Sequence, residues 1–181
     1  MIIMTIEFFK GVFIVDLLFT SERLGFRLLT KEDIDACEQF WGNEEVMKYC
    51  GGSTSSALLP QVIDFYQQCQ KDFGLSVYGV IDLTTNQVIG AAGFNMEDSV
   101  DQAELIFHFS KPNWNKGYAT EAGIACLTFA KEQGNIQKIN ASASIANKAS
   151  LDVLGKIGFQ YMGIKYFEDT EQEEAYFVFV L

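Results

Sequence analysis

The sequence predicts an α+β domain in which a mixed, mostly antiparallel sheet of about seven strands is flanked by about four helices. Three observations lead to this prediction. Strand patterns follow one another over residues 76–109, strand and helix patterns then alternate over residues 103–157, and two further strand patterns end the chain. Successive strands pair antiparallel, whereas a helix between two strands packs over the sheet.

The size of the chain suits a single domain, which we assign to residues 21–181. With 181 residues, of which 49% are hydrophobic and 20% charged, it can bury a substantial core. Residues 1–20 form an apolar extension, interrupted by Glu7, Lys10 and Asp16 and therefore unlike a membrane span. We expect an extra strand or hairpin there, or a start placed upstream of the natural domain.

The formal net charge of -11 excludes nucleic acid and anionic membranes as expected partners. The acidic residues either form a solvated surface or, where they cluster near a site, favour a cationic partner. The four cysteines are widely spaced and the chain has one histidine, so no metal site of usual ligand spacing is expected. Reduced thiols and a cytoplasmic location are the simplest interpretation.

The first elements are a strand and two helices. Residues 23–29 (RLGFRLL) alternate as a strand does, and Thr30 with Asp33 is typical of a helix start. The first helical face is formed by Ile34, Cys37, Phe40 and Trp41. A Gly- and Ser-rich loop at 51–56 precedes Pro60, which begins a second helix. Its apolar face is expected to comprise Val62, Phe65, Tyr66 and Cys69.

Three strands follow, at 76–82, 87–96 and 103–109, with residues 83–86 as a hairpin turn between the first two. In the third strand, alternation separates two sets of side chains. Glu104, Ile106 and His108 lie on one face, and Leu105, Phe107 and Phe109 lie on the other.

The stretch NWNKGYATEA, residues 113–122, joins the third strand to a helix predicted over 117–131 and ended by Gly134. Gly117 permits a positive φ or a close backbone approach, and Ala119 leaves space beside it. The first N–H groups of a helix lack intrahelical partners and lie at the positive end of its dipole. The turn therefore predicts a phosphate site, or alternatively a closely packed turn without a ligand.

The last elements are a strand at 138–145, a helix at 148–157 and two strands at 161–167 and 174–181. Asn147 is placed as the N-cap of this helix, Ser150 lies in its first turn, and Gly158 follows its end.

Three blocks of the sequence in this order resemble the GCN5-related N-acetyltransferase (GNAT) family, and in particular its RimJ/RimL-like branch of ribosomal-protein acetyltransferases. They are the strand and two helices at the start, the turn WNKGYA at 114–119, and the pattern of Asn147, Ser150, Lys156, Gly158 and Phe159. The resemblance runs from about residue 21 to residue 181.

The resemblance implies an N-acetyltransferase that uses acetyl-coenzyme A as co-substrate and needs no metal. Transfer would go directly, in a ternary complex, to a primary amine such as a peptide or protein N-terminus or a small amine. The family pattern places the coenzyme against His108, Phe109, Ser110, Asn115, Lys116, Gly117, Tyr118, Ala119, Thr120, Asn147 and Ser150.

Catalytic roles also follow from the resemblance. Glu104 is expected to deprotonate the amine through water, unless it is a solvent-exposed strand-end residue. His108 titrates in a range suitable for a base, or packs in the sheet. A backbone N–H near Phe109 would polarise the thioester carbonyl. Leu154 stands where many relatives have a proton-donating Tyr, which leaves Ser150 as a substitute acid or as a cap and coenzyme contact.

Two other functions compete with this one. A non-catalytic acyl-coenzyme A-binding or regulatory module would keep the turn without the chemistry, and the absent Tyr favours it. A phosphate-binding Rossmann-type domain fits less well, because the chain lacks a long βαβ repeat. A cationic acceptor would suit the acidic chain, with contacts expected from residues 44–56 and 168–174. The protein is expected to be a monomer or a homodimer.

Overall fold

The computed structural model describes residues 16–96, 99, 103–134, 136–168 and 170–181, and every structural statement below concerns these residues. Within them the chain forms one eight-stranded sheet and four α-helices. The mixed sheet flanked by four helices confirms the predicted fold class. None of these helices is both long and apolar enough to cross a membrane.

The strands and helices have the following bounds. The strands are β1 (Phe19–Thr20), β2 (Leu24–Arg27), β3 (Val77–Asp82), β4 (Gln87–Asn95), β5 (Glu104–Phe109), β6 (Lys138–Ser144), β7 (Gln160–Phe167) and β8 (Gln172–Val180). The helices are α1 (Ile34–Glu38), α2 (Leu59–Phe73), α3 (Tyr118–Gln133) and α4 (Lys148–Ile157).

The order of strands across the sheet is β1-β2-β3-β4-β5-β6-β8-β7. All neighbours pair antiparallel except β5 and β6, which are parallel because α3 connects them. The two-residue β1 raises the number of strands from the expected seven to eight. The expectation for residues 1–15 lies outside the described residues, and so does Asp169 in the predicted 168–174 turn.

The sheet carries a hydrophobic cluster on each face. The larger one packs α3 and α4 against the sheet and includes Leu105, Phe109 and Cys126. The smaller one packs α1 and α2 on the opposite face and includes Trp41 and Ala91, with Ile106 against it. Strand β5 thus contributes to both clusters, which is the separation that its alternation predicts.

The helices before β3 differ in detail from the prediction. Helix α1 ends at Glu38, and Phe40 and Trp41 follow in turns, although both remain buried. In α2, Ile63 is buried and Phe65 is 45% exposed, so including Phe65 in the buried face was wrong. Proline in the first turn begins α2 as expected, and a left-handed Gly74, which was not singled out, ends it.

Candidate active site

A cleft opens where β5 and β6 part. The two strands share one register pair, Glu104 with Asn140, and the Asn140 N–H donates to the Ala103 carbonyl over 2.9 Å. Beyond this point the described parts of the strands diverge. The space between them, bounded by α3 and α4, has a volume of about 800 Å³. This size is typical of a small-molecule site.

Backbone groups of β5 face this cleft. The Ser110 N–H donates to the Ile89 carbonyl on the β4 side over 3.0 Å, whereas Ala103 bonds towards β6. Since backbone groups alternate along a strand, those of Phe107 and Phe109 point to the same side as Ala103. The Trp114 indole N–H donates to the Phe109 carbonyl over 2.7 Å. The same alternation directs the Phe109 N–H into the cleft.

The predicted turn forms the start of α3 at the mouth of the cleft. Gly117 has φ 80°, in the left-handed region, and no side chain caps the helix. Tyr118, Ala119 and Thr120 contribute the first N–H groups of the helix and line the cleft. An uncapped N-terminus of a 16-residue helix beside an open cleft suits an anionic group such as a diphosphate.

Arg23, just before β2, ties the turn to the sheet. Its Nε donates to Glu121 Oε2 over 2.7 Å, and its Nη1 donates to the Lys116 carbonyl, 93 residues away, over 3.0 Å. The guanidinium also lies 4.7 Å from the centre of the Tyr118 ring. The Tyr118 hydroxyl in turn donates to Asp82 over 2.9 Å. The sequence interpretation missed these contacts, because nothing local connects residues so far apart.

Glu104 lies at the apex of the cleft, where the strands begin to part. The Ser142 hydroxyl donates to Glu104 Oε1 over 2.7 Å, and the Tyr176 hydroxyl donates to Asn140 over 2.7 Å. Residues 138–143 alternate between exposed or half-buried polar positions and buried apolar ones, and Ser144 is buried. That alternation, in KINASAS, is the signal that could have predicted a polar lining beside Glu104.

His108 lies on the same face of β5 as Glu104. Its Nδ1 accepts from the Trp41 indole N–H over 3.3 Å, and its Nε2 lies 3.5 Å from Cys50 Sγ. Burial lowers the pKa of His108 to about 4, so the imidazole is neutral at pH 7.

A further acidic residue, Glu174 in β8, also lines the cleft although it is only 4% exposed. The Thr170 hydroxyl and the Gln172 amide each donate to its Oε1 over 2.8 Å. Gln172 also donates to the Tyr49 carbonyl over 3.0 Å, which joins the C-terminal hairpin to the 44–56 segment. Both segments expected to contact the acceptor therefore meet at this end of the cleft.

Helix α4 closes the other side. Asn147 caps it, with its Oδ1 accepting from the Ser150 N–H over 3.2 Å. Leu154, at the position where many relatives have Tyr, is 1% exposed and belongs to the core. The Leu154 side chain therefore supplies no proton to the cleft.

The cleft brings together most of the residues that the sequence singled out. They are Glu104, His108, Phe109, Asn115, Gly117, Tyr118, Ala119, Thr120, Asn147 and Ser150. Ser110 and Lys116 do not line it: the Ser110 hydroxyl donates to the Ile89 carbonyl, and the Lys116 ammonium donates to Asn113. The described residues contain no group of three or more His, Cys, Asp or Glu arranged to hold a metal ion.

Comparison with known proteins agrees with this geometry. The family model for the acetyltransferase (GNAT) domain matches residues 23–160. The Bacillus licheniformis protein named uncharacterized N-acetyltransferase p20 is 29% identical over 147 residues, covering 80% of this chain and 83% of its own.

Solved structures share the fold. An acetyltransferase of the GNAT family from Bacillus anthracis superposes with a TM-score of 0.75 at 24% identity, covering 89% of this chain and 96% of its own. A complex of the ribosomal-protein acetyltransferase RimL with coenzyme A gives a TM-score of 0.77 at 15% identity, over 91% and 98% of the two chains. With the family model spanning more than half of its residues, the chain belongs to the GNAT family of acetyl-coenzyme A-dependent acetyltransferases.

Proposed function

We propose that the protein transfers an acetyl group from acetyl-coenzyme A directly to a primary amine, with both substrates bound in the cleft between β5 and β6. One observation carries the proposal. The strands part at Glu104, and the opening runs from that carboxylate to the uncapped start of α3 at Gly117. A base and an anion site at opposite ends of one cleft suit a long phosphorylated donor and an amine acceptor.

The donor is assigned to the α3 side of the cleft. The N–H groups of Tyr118, Ala119 and Thr120 would bind its diphosphate, and the helix dipole supplies positive potential at this end of the cleft. The backbone of Phe107 and Phe109 would pair with the pantetheine arm as an added strand does. The Phe109 N–H would then polarise the thioester carbonyl as negative charge develops on its oxygen.

The acceptor is assigned to the opposite end, on the face shared by Glu104, His108 and Glu174. Glu104 would remove a proton from the ammonium form of the amine, directly or through water, so that the neutral amine can attack. The hydrogen bond from Ser142 holds the carboxylate in place while one oxygen receives the proton.

A direct ternary-complex reaction is favoured over an acetyl-cysteine intermediate. Burial, together with the charges of Glu174 and Glu104, raises the pKa of Cys50 to about 11, so its thiol stays protonated at pH 7. Burial also raises the pKa of Cys126, which lies on the buried face of α3. Neither thiol is an activated nucleophile.

A peptide or protein N-terminus is the acceptor class that we propose first. The fold is shared with ribosomal-protein acetyltransferases, including RimL and one from Vibrio fischeri that is 14% identical with a TM-score of 0.74. The open acceptor end, bounded by the 44–56 segment and the C-terminal hairpin, gives a polypeptide room to enter.

The test is the steady-state rate of coenzyme A release for the unmodified protein and for Glu104→Gln. Loss of a general base should lower kcat by about 10²- to 10⁴-fold while the dissociation constant for coenzyme A changes little. Intersecting initial-rate lines are expected for a ternary complex, and parallel lines would indicate a covalent intermediate instead.

Glu132→Gln is the matched control. Glu132 is an exposed residue near the end of α3 that does not line the cleft, so the same change of charge there should leave kcat within about twofold. Turnover that survives Glu104→Gln would remove Glu104 from the role of base. Tight coenzyme A binding with no turnover on any amine would favour the non-catalytic module instead.

A further inference from the structure

His108 is held by a hydrogen bond that fixes which of its nitrogens carries hydrogen. An indole N–H can only donate, so the Nδ1 that receives it from Trp41 must offer a lone pair. A neutral imidazole with an unprotonated Nδ1 carries its hydrogen on Nε2. That Nε2–H donates to Cys50 Sγ, a weak acceptor at the wall of the cleft.

The surroundings keep the ring neutral. The titratable groups on this side of the sheet are Cys50 and Glu104. Cys50 Sγ lies 3.5 Å from Nε2, and Glu104 lies four residues before His108 on the same face of β5. Glu174 also acts on Cys50 from β8. Burial outweighs these carboxylates, because it leaves the pKa of the imidazole near 4.

A ring in this state cannot serve as a base near pH 7, because its single lone pair is already occupied. We infer that Trp41 locks His108 as a hydrogen-bond donor at the acceptor end of the cleft, so that the site selects amines bearing a hydrogen-bond acceptor beside the amino group. Trp41 is then a positioning residue, and His108 determines specificity. The inference rests on the proposed function for its assignment of the acceptor end.

The substrate class follows from the polarity of the site. The Nε2–H repels an ammonium and attracts a carbonyl oxygen, while Glu104 provides the carboxylate for the amine. An amino acid amide or a peptide N-terminus has both groups on one carbon, whereas a simple alkyl amine has the amine alone. The cleft should therefore favour peptide-like acceptors over alkyl amines of equal size.

Nuclear magnetic resonance measures the tautomer of His108 directly, because His108 is the sole histidine of the chain. In 15N-labelled protein, long-range 1H–15N correlations should show a protonated Nε2 and an unprotonated Nδ1 from pH 8 down to about pH 5. A protonated Nδ1, or an imidazolium at pH 7, would overturn the inference even if the enzyme is active.

Two variants distinguish the effect of the Trp41 hydrogen bond on His108 from the effect of packing around it. Trp41→Phe removes the donor and should give a mixture of the two tautomers. Phe40→Leu removes packing from the same buried cluster but leaves the indole N–H, so the tautomer should stay unchanged. If both variants leave the tautomer of His108 unchanged, the Trp41 hydrogen bond does not determine it.

The selectivity is tested with alaninamide and isopropylamine, which share the amine-bearing carbon and differ in the carboxamide. Added to the protein with coenzyme A, alaninamide should shift the Nε2 resonance and isopropylamine should not. In turnover, His108→Phe should lower kcat/KM for alaninamide roughly three- to tenfold more than for isopropylamine, the effect of one hydrogen bond.

The outcomes distinguish the two proposals. Equal shifts with both amines, or no shift with alaninamide, would overturn the selectivity, whether or not acetyl transfer is seen. The expected tautomer and shifts without acetylation of any amine would leave the inference standing and contradict the proposed reaction.

Discussion

Glu104 lies on β5 and Ser142 on β6, two strands that separate beyond Glu104, and this gives the Glu104 carboxylate access to the cleft. The contact is long-range, at 38 residues apart in sequence. A strand-end Glu read from sequence alone fits solvent equally well. The divergence of β5 and β6 places Glu104 in a cleft and not in bulk solvent, and alternation within one strand does not predict that divergence.

Ser150 is the remaining side chain for which the sequence suggested proton donation. Its backbone N–H donates to the Asn147 cap, a hydrogen bond that an alanine would also make and that does not depend on the hydroxyl. Ser150→Ala should therefore lower kcat by less than about tenfold, with the thiolate protonated by water. A loss of about 10³-fold in kcat at unchanged KM for acetyl-coenzyme A would instead assign the acid to Ser150.

The residues that sequence reasoning missed share one property. Arg23 and Trp41 each act on the site from a distant part of the chain. Arg23 reads as a strand residue and Trp41 as part of a helix face, and both descriptions are accurate locally. Their functional contacts depend on how the sheet brings the elements together, which composition and periodicity do not contain.

Two glycines with similar backbone geometry allow the role of the start of α3 in binding to be tested by substitution. Gly117 begins the helix with φ 80°, and Gly134 follows its end with φ 71°. Replacing either by Ala should destabilise the fold by about 1 kcal/mol, the cost of a left-handed conformation for a residue with a Cβ.

The two substitutions should differ in coenzyme A affinity. Gly117→Ala should weaken binding severalfold in titration calorimetry, because any relief of strain moves the N–H groups that hold the diphosphate. Gly134→Ala should leave the dissociation constant unchanged. Equal affinities for both variants would separate the turn from the anion site.

Most helices and strands were predictable because local signals agree with the fold. Pro60 and Gly74 mark the start and end of α2, Asn147 and Gly158 mark the start and end of α4, and the alternation of β5 matches its two buried faces. Where the prediction failed, as at Phe65 or in the short α1, the outcome depended on which neighbour packed against the helix. Helical periodicity leaves that choice open.

The stability of the whole molecule should respond to pH through Asp33. Its carboxylate accepts two hydrogen bonds of 2.7 Å from Arg27 and one of 2.8 Å from the Thr30 N–H. Burial opposes ionisation, but these bonds outweigh it and lower the pKa of Asp33. Stability from a depressed pKa is fully present above the unfolded-state pKa of about 3.9 and is lost as pH falls through the folded-state pKa.

Asp33→Asn should consequently lower the free energy of unfolding by about 2 kcal/mol at pH 7. The difference from the unmodified protein should shrink as pH falls below about 4. Urea denaturation at pH 7, 5 and 3 measures it. A difference that stays constant down to pH 3 would show that lost packing, and not the charged pair, is responsible.

The net charge of -11 has no bearing on donor binding in this account, since helix N–H groups bind the diphosphate. The central claim is that the cleft transfers acetyl groups to amines, and mass spectrometry of a mixture of amines and peptides incubated with acetyl-coenzyme A tests it most directly. We predict an acetylated amine and an equal amount of coenzyme A, both lowered by about 10²-fold or more with Glu104→Gln and retained with Glu132→Gln. Coenzyme A release without an acetylated product, or binding with neither, would contradict it.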